Sequence, residues 1–226
     1  MLCYKIEFTG VNMDILSREK ELASYLERQP YLIEQDGINL NIHKNVFPSD
    51  FGITSSFFGH YILQQKATQS ALDMACGSGY FAFLLKKIGC TSVVGVDFNK
   101  DSIKCAISNI ELNPALKPIT FIHSDLFKSV PSNQFGIIVF NFNYYPSNGV
   151  FGLNADGGRE ILERFFSEVI DYIDCNSRIY IPYSKFVGPE HDPLHIAPKY
   201  GFSVSIEALT ENEAGEHVIY LIMSKI

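Results

Sequence analysis

The stretch Ala71-Leu-Asp-Met-Ala-Cys-Gly-Ser-Gly-Tyr80 decides the fold of this chain. Ala71–Ala75 is apolar apart from Asp73 and therefore predicts a buried strand. Two glycines, Gly77 and Gly79, follow this strand, and the apolar spacing after them predicts a helix over Tyr80–Ile88. A strand, a glycine turn and a helix in this order let the backbone approach a ligand closely, because helix N–H groups point at its anionic atoms.

Strands and helices alternate on the carboxyl side of this stretch. Further strands are predicted at 93–97, 119–123, 135–140 and 179–182, with a helix that ends before Pro114 and a long helix over Gly158–Asp174. Apolar strands that are separated by helices predict a parallel sheet covered on both faces. The last two β-rich segments, 202–209 and 217–223, are too close for a helical crossover, so the last strand is predicted to be antiparallel.

The residues before this α/β region predict a smaller N-terminal extension. It holds a helix that ends near Pro30, a hairpin around Asp36-Gly37 and a second helix over Thr54–Gln65. We therefore expect an extension over residues 1–66 and a ligand-binding domain over residues 67–226.

Three acidic residues follow or interrupt the predicted strands at one edge of the sheet. Asp73 would repel a pyrophosphate but could hold an amino group, whereas Asp97 ends the second strand, where a carboxylate pairs with ribose hydroxyls. Asp125 follows the third strand. Three acids around one glycine turn suit a cationic, ribose-bearing ligand better than a diphosphate. The spacing of the glycines also fits a loose dinucleotide pattern, so a nicotinamide-dependent oxidoreductase is an alternative that Asp73 and the antiparallel last strand disfavour.

The composition excludes several other classes of protein. The 226 residues include 18 Lys and Arg against 25 Asp and Glu, a net charge of −7 that argues against a surface-wide grip on nucleic acid. No apolar run reaches the roughly 20 residues of a membrane helix, and no signal peptide is recognisable. The five cysteines form no CxxC pair, and Pro193 separates His191 from His195, so neither a disulfide framework nor a metal site is expected. A cytoplasmic protein without membrane contact is predicted.

Three motifs resemble those of class I S-adenosylmethionine-dependent methyltransferases. Asp73–Tyr80 resembles the first motif of that family, Val94-Gly-Val-Asp97 its ribose-binding motif and Ser124-Asp125-Leu126 its adenine-binding motif. The resemblance implies a Rossmann-like sheet, mostly parallel with an antiparallel last strand, and S-adenosylmethionine as the cofactor. The cofactor-binding residues that it implies are Asp73, Ala75, Cys76, Gly77, Gly79, Asp97, Phe98, Asn99, Ser124, Asp125, Leu126 and Asn141.

The segment Asn141-Phe-Asn-Tyr144 follows the fourth strand of this sheet. It resembles the Asn-Pro-Pro-Tyr motif of the small-domain methyltransferases, which methylate planar nitrogens such as the glutamine amide of release factors and the exocyclic amines of nucleobases. The resemblance implies that Asn141, Phe142 and Tyr144 are catalytic. It also implies that Thr54, Asn143 and Tyr145 contact the substrate, which the N-terminal extension would cover.

Phe142 and Asn143 stand where that family has two prolines, and this difference leaves two interpretations open. The loop could still aim the Phe142 carbonyl at an acceptor nitrogen, or the acceptor could be another atom, such as an oxygen. A methyltransferase fold that binds its cofactor without catalysis is a third interpretation. The acidic charge favours a protein side chain or a small molecule over RNA as the acceptor, and the sequence does not reveal the oligomeric state.

Overall fold

The structure, a computed structural model, describes residues 2–3, 15–142, 158–212 and 215–225. They form two compact units, one of Met13–Pro131 and one of Ser132–Ile226 together with Met1–Asn12. The predicted boundary at residue 66 falls inside the first unit, and as a boundary between two functions it stays a prediction.

The first unit begins with a helix, a hairpin and a second helix, in the predicted order. These elements are α1 (Ile15–Glu27), β2 (Tyr31–Gln35), β3 (Ile38–Ile42) and α2 (Ile53–Ile62). Asp36 and Gly37 have φ values of 53° and 71°, the left-handed conformation that a tight two-residue hairpin requires at both positions. The helix predicted over Thr54–Gln65 is shorter, since it ends at Ile62.

The same unit continues with three parallel strands and two helices. They are β4 (Ser70–Met74), α3 (Tyr80–Lys87), β5 (Ser92–Asp97), α4 (Lys100–Leu112) and β6 (Thr120–His123). In the register, Met74 is paired with Val96 and Asp97 with His123. The carboxyl ends of all three strands therefore meet at one edge, which is where ligands bind in open α/β sheets.

The second unit contains the remaining strands and two helices. They are β7 (Ile137–Phe140), α5 (Arg159–Glu168), β8 (Arg178–Ser184), α6 (Pro193–Ile196), β9 (Phe202–Asn212) and β10 (Gly215–Ser224), with β1 (Leu2–Cys3) beside β9. Strand β7 is parallel to β8, whereas β10 is antiparallel to both β8 and β9. The prediction of an antiparallel last strand is thus confirmed.

The helix that was predicted over Gly158–Asp174 is wrong in length. It ends at Glu168 and tightens into a 3₁₀ turn over Val169–Tyr172. The carbonyl of Tyr172 accepts a hydrogen bond from the Phe135 N–H at 2.8 Å. The tighter turn therefore places a backbone acceptor against the segment that leads into β7.

Within the described ranges, no helix is both long enough and apolar enough to cross a membrane.

A buried polar cluster fixes the segment that follows β8. The Asp192 carboxylate lies 2.5 Å from Lys185 Nζ and accepts a hydrogen bond from the Tyr220 hydroxyl at 3.1 Å. Its second oxygen accepts the Leu194 N–H at 2.9 Å and so caps α6. Because Asp192 is buried, one carboxylate joins β10, the end of β8 and a helix N-terminus.

We predict that Asp192→Ala lowers the free energy of unfolding by about 2–4 kcal/mol, because it removes a helix cap and two charge-assisted hydrogen bonds. Urea unfolding monitored by circular dichroism measures this change. Glu190→Ala is the control: its ion pair with His191 spans 3.5 Å and involves an exposed carboxylate, so the loss should stay within about 0.5 kcal/mol. Equal stability losses in the two variants would contradict this account of Asp192.

Candidate functional site

The turn between β4 and α3 has an unusual backbone. Ala75, Gly77 and Gly79 all have positive φ, at 60°, 53° and 88°. The turn is closed by a hydrogen bond from the Gly79 N–H to the Cys76 carbonyl at 2.7 Å. A Cβ atom added at Gly79 would lie 2.9 Å from the Phe121 ring, whereas one added at Gly77 would meet nothing within 4 Å. The space next to the Gly79 Cα is therefore filled by packed side chains, whereas the space next to the Gly77 Cα, on the outer side of the turn, is open.

Asp97 ties this turn to the end of β5. One carboxylate oxygen accepts the Gly77 N–H at 2.9 Å, and the other accepts the Asn99 N–H at 2.8 Å. Burial raises the pKa of Asp97 above that of a free aspartate, while the two N–H groups oppose the increase. The Ser102 hydroxyl is a third hydrogen-bond partner of this carboxylate, which leaves one of its four lone pairs for a ribose hydroxyl.

Asp73 lies in the interior, although it was predicted as a ligand for an amino group. It is completely buried, and one oxygen accepts the Ala82 N–H in the first turn of α3 at 2.8 Å. Its other oxygen has no partner. Burial raises the pKa of Asp73 well above its usual range, and the Asp97 charge adds to this. The carboxylate thus supports the start of α3 from below, and its contact with a cofactor stays a prediction.

The residues after β5 combine an exposed aromatic ring with a rigid backbone. Phe98 is 60% exposed, which is unusual for so large an apolar side chain. Asn99 caps α4 by accepting the Asp101 N–H at 2.9 Å and donates to the Asn45 carbonyl at 2.8 Å. An exposed apolar ring therefore follows Asp97 directly in the chain, next to a residue that caps α4.

The loop after β6 is held by its own side chains. The Ser124 hydroxyl donates to the Leu126 carbonyl at 2.7 Å and accepts the Ser129 N–H at 2.9 Å. Leu126 is buried with φ at 45°, whereas Asp125 is exposed. The loop thus directs an acidic side chain outward from the edge where β4, β5 and β6 end.

In the second unit, Asn141 directly follows β7 and is partly buried. The next side chain, Phe142, is buried, with its ring centroid 4.6 Å from that of Phe140. A Cβ atom at Gly158, where φ is 75°, would lie 2.5 Å from the Phe142 ring. Packing of Phe142 against Phe140 and Gly158 therefore fixes the backbone next to Asn141.

The other predicted substrate residues are in different places. Thr54 lies in the first turn of α2, in the first unit, and is partly buried. Asn143, Tyr144 and Tyr145 lie outside the described residues.

Sequence reasoning missed Asn109. This residue is completely buried in α4, and its side-chain amide donates to the Ser78 carbonyl in the glycine turn at 3.0 Å. A signal was present: asparagine at 109 falls within the apolar periodicity of the predicted helix, and Asn113 repeats it one turn later.

The arrangement around the glycine turn fits S-adenosylmethionine. Buried Asp73 and Ser78 each carry one side-chain oxygen without a partner, and Gly77 leaves room for a ligand at the backbone. Asp97 can accept from the ribose, and the exposed Phe98 ring can lie against the adenine. Burial raises the pKa of the Cys76 thiol, so this cysteine is no candidate nucleophile at neutral pH. In the part of the chain that the structure describes, no group of three or more His, Cys, Asp or Glu side chains could hold a metal ion.

Comparison with known proteins agrees with this chemistry. A family model described as "Methyltransferase small domain" matches residues 38–152. The chain belongs to this methyltransferase family. It is an S-adenosylmethionine-dependent methyltransferase with a Rossmann-like α/β fold.

Relatives share different portions of the chain. A Methanocaldococcus jannaschii protein, provisionally assigned as a protein N5-glutamine methyltransferase, is 31% identical over 187 residues, which are 78% of this chain and 91% of that protein. The ribosomal protein L11 methyltransferase of Burkholderia multivorans is 32% identical over 128 residues, 55% of this chain and 40% of its own length. The region aligned with this chain is thus less than half of the length of that L11 enzyme.

Solved structures show the same fold at low sequence identity. A methyltransferase from Pyrococcus furiosus superposes with a TM-score of 0.61 at 16% identity, covering 92% of this chain and 98% of that chain. A second protein, provisionally assigned as a methyltransferase and solved in complex with SAH, superposes with a TM-score of 0.63 at 14% identity, covering 87% and 56%.

We predict that Gly77→Ala mainly weakens cofactor binding, whereas Gly79→Ala mainly lowers stability. The Cβ at position 77 would occupy the open space above the turn and lower the affinity for S-adenosylhomocysteine by at least about tenfold, with a cost to stability of about 1 kcal/mol. The Cβ at position 79 would strike the Phe121 ring and lower stability by about 2–4 kcal/mol. Calorimetric titration and thermal unfolding measure both quantities. Unchanged affinity in Gly77→Ala would place the ligand elsewhere.

We also predict that the affinity for S-adenosylhomocysteine depends on pH through Asp97. Because burial raises the pKa of Asp97, its carboxylate takes up a proton at higher pH than a free aspartate. The protonated form loses an acceptor for the ribose, so affinity for S-adenosylhomocysteine should fall as the pH is lowered from 7 toward that pKa. Calorimetry across this range tests the dependence, which should persist in Asp73→Asn and disappear in Asp97→Asn. A dependence that Asp97→Asn retains would assign the titration to another group.

Proposed function

We propose that this methyltransferase transfers a methyl group to a nitrogen atom of a protein side chain, with the side-chain amide of glutamine as the acceptor. The observation that carries the proposal is the position of Asn141 directly after β7, on a backbone that Phe142 fixes. The 31% identical relative that extends over most of this chain supports it, since that protein is provisionally assigned to glutamine N5.

The first unit supplies the residues for the cofactor in this proposal. S-adenosylmethionine, when bound, supplies a methyl group on a positively charged sulfur. Asp97 accepts hydrogen bonds from the ribose, and Phe98 lies against the adenine with Asp125 and Leu126. Asp73 acts indirectly, because its buried carboxylate supports the start of α3 and hence the glycine turn.

Asn141 addresses the main chemical difficulty of an amide acceptor. The nitrogen lone pair of an amide is delocalised, so the nitrogen is a poor nucleophile. The Asn141 side-chain carbonyl and the Phe142 main-chain carbonyl would accept its N–H groups. These acceptors stabilise the positive charge that develops on nitrogen and hold it in line with the methyl group.

Phe142 provides a physical substitute for the missing proline. A proline stiffens a loop by fixing φ, whereas Phe142 fixes its backbone by burying its ring against Phe140 and below Gly158. This supports the interpretation in which the Phe142 carbonyl is still aimed at a nitrogen. We extend the proposal to Tyr144 as a flat surface for the amide, and to Thr54, Asn143 and Tyr145 as substrate contacts.

The acceptor is best identified in a cell extract. Purified protein would be incubated with the extract and with S-adenosylmethionine labelled in the methyl group, and labelled proteins would be digested and examined by mass spectrometry. N5-methylglutamine supports the proposal. Label in RNA only, or on an oxygen atom, would contradict it, and no label above background would favour the non-catalytic interpretation.

Two properties of the chain bear on its acceptor and on its cellular compartment. Its net charge of −7 disfavours RNA as the acceptor. Cys76, Cys90, Cys105 and Cys175 are free thiols, three of them buried, and so we propose a reducing, cytoplasmic compartment.

We predict that Asn141→Ala lowers the rate constant of methyl transfer about 100- to 1000-fold, the range seen when one group that stabilises a transition state is removed. Its affinity for S-adenosylhomocysteine should change less than about threefold, since the residue serves the acceptor. Single-turnover transfer and calorimetry separate the two quantities. The matched variant Asn141→Asp keeps one side-chain carbonyl oxygen in place, so it should retain more activity than Asn141→Ala. Loss of cofactor affinity in Asn141→Ala would assign Asn141 to the wrong ligand.

A further inference from the structure

Asn109 in α4 and Asn113, which caps the carboxyl end of that helix, hold the outer edge of the N-terminal hairpin. Asn113 Oδ1 accepts the Asn39 N–H at 3.0 Å, and Asn113 Nδ2 donates to the Asn39 carbonyl at 2.8 Å. Asn109 does the same to Asn41, with its Oδ1 2.9 Å from the Asn41 nitrogen and its Nδ2 3.4 Å from the carbonyl oxygen. Each side-chain amide therefore pairs with the β3 backbone as a neighbouring strand would.

Only one of these two amides also contacts the glycine turn. Asn109 Nδ2 donates to the Ser78 carbonyl at 3.0 Å, whereas Asn113 Nδ2 makes its further hydrogen bond within α4, to the Asn109 carbonyl at 2.8 Å. Asn109 thus links β3 to the turn through a single rigid group. Asn113 is a natural control, because it shares the hairpin contact and lacks the contact with the turn.

The contact with Ser78 acts on the backbone that faces the open space. The Ser78 carbonyl and the Gly79 N–H belong to one planar peptide group, and that N–H closes the turn on the Cys76 carbonyl. When Asn109 holds the carbonyl, it also fixes the direction of the N–H. The conformation of the turn from Cys76 to Gly79 therefore depends on a side chain that the hairpin itself orients.

Two further contacts join the N-terminal segment to the same edge. The Tyr80 hydroxyl, one residue after the turn, donates to the Asp36 carboxylate at the tip of the hairpin. Asn99, beside Asp97, donates to the Asn45 carbonyl at 2.8 Å. The segment from Asp36 to Asn45 is thus fastened both to the turn and to the end of β5.

We propose that Asn109 is a positioning residue for the cofactor turn, and that through it the N-terminal hairpin sets the affinity for S-adenosylmethionine. The inference rests on the proposed location of the cofactor above Gly77. The N-terminal extension was predicted to cover the substrate. Under this proposal, its residues 36–45 also contribute to cofactor binding.

The test compares Asn109→Ala with Asn113→Ala in the full chain, by calorimetric titration with S-adenosylhomocysteine and by thermal unfolding. Both variants lose a bidentate contact with β3, so both should lower the melting temperature to a similar extent. Asn109→Ala should in addition lower the affinity about tenfold, the scale of one buried hydrogen bond, and Asn113→Ala less than about threefold. Equal affinities in the two variants would overturn the proposal.

Hydrogen exchange in the wild-type chain tests the same coupling without a substitution, in case Asn109→Ala does not fold. Linkage is reciprocal, so a ligand that orders the turn must also stabilise what orders the turn. The Asn41 N–H donates to Asn109, and the Asn39 N–H donates to Asn113. Saturating S-adenosylhomocysteine should therefore slow hydrogen exchange at Asn41 more than at Asn39. Protection of the turn with no change at Asn41 would overturn the proposal. A wild-type chain that does not bind the probe would instead contradict the cofactor site itself.

Discussion

The carboxylate of Asp97 accepts one N–H from the glycine turn and another from the start of α4, and most features of the first unit depend on this bridge. The parallel register brings the ends of β4 and β5 together, but register alone does not fix a turn in which three residues have positive φ. The buried carboxylate holds the middle of the turn at Gly77, at the cost of a raised pKa. In the proposed function, the same carboxylate also accepts a hydrogen bond from the ribose.

Local patterns were sufficient to predict most of the fold, the glycine turn and the cofactor. Apolar runs gave β4 to β8, the glycine spacing gave the turn, and Asp36-Gly37 gave the hairpin, because each depends on residues that are close in sequence. The helix after Gly158 was predicted too long, because the chain tightens into a 3₁₀ turn whose last residue, Tyr172, accepts a hydrogen bond from Phe135, which is distant in sequence. Asn109 was missed for the same reason: its partners, at 41 and 78, are distant along the chain and become visible only when β3 packs on α4.

In the proposed acceptor site, side-chain packing replaces a covalent constraint. Loss of two prolines removes the stiffness that their rings impose, yet the backbone at Phe142 is still held, because its aromatic side chain is enclosed by Phe140 and by a glycine that leaves room for it. The backbone next to Asn141 is therefore held by packing in the interior of the second unit. Comparison with the family motif shows only that Phe142 and Asn143 replace two prolines. It does not show that packing of the Phe142 ring holds the backbone.

The pairing of α4 with the hairpin also bears on how the chain behaves with copies of itself. A short two-stranded sheet leaves N–H and C=O groups along its outer strands, and such edges invite strand addition and aggregation. Along β3 the outward backbone groups of Asn39 and Asn41 are already bonded to side-chain amides that belong to the same molecule. The outward backbone groups of these two residues are therefore satisfied without a third strand. A neighbouring chain would have to displace α4 before it could pair with β3 there.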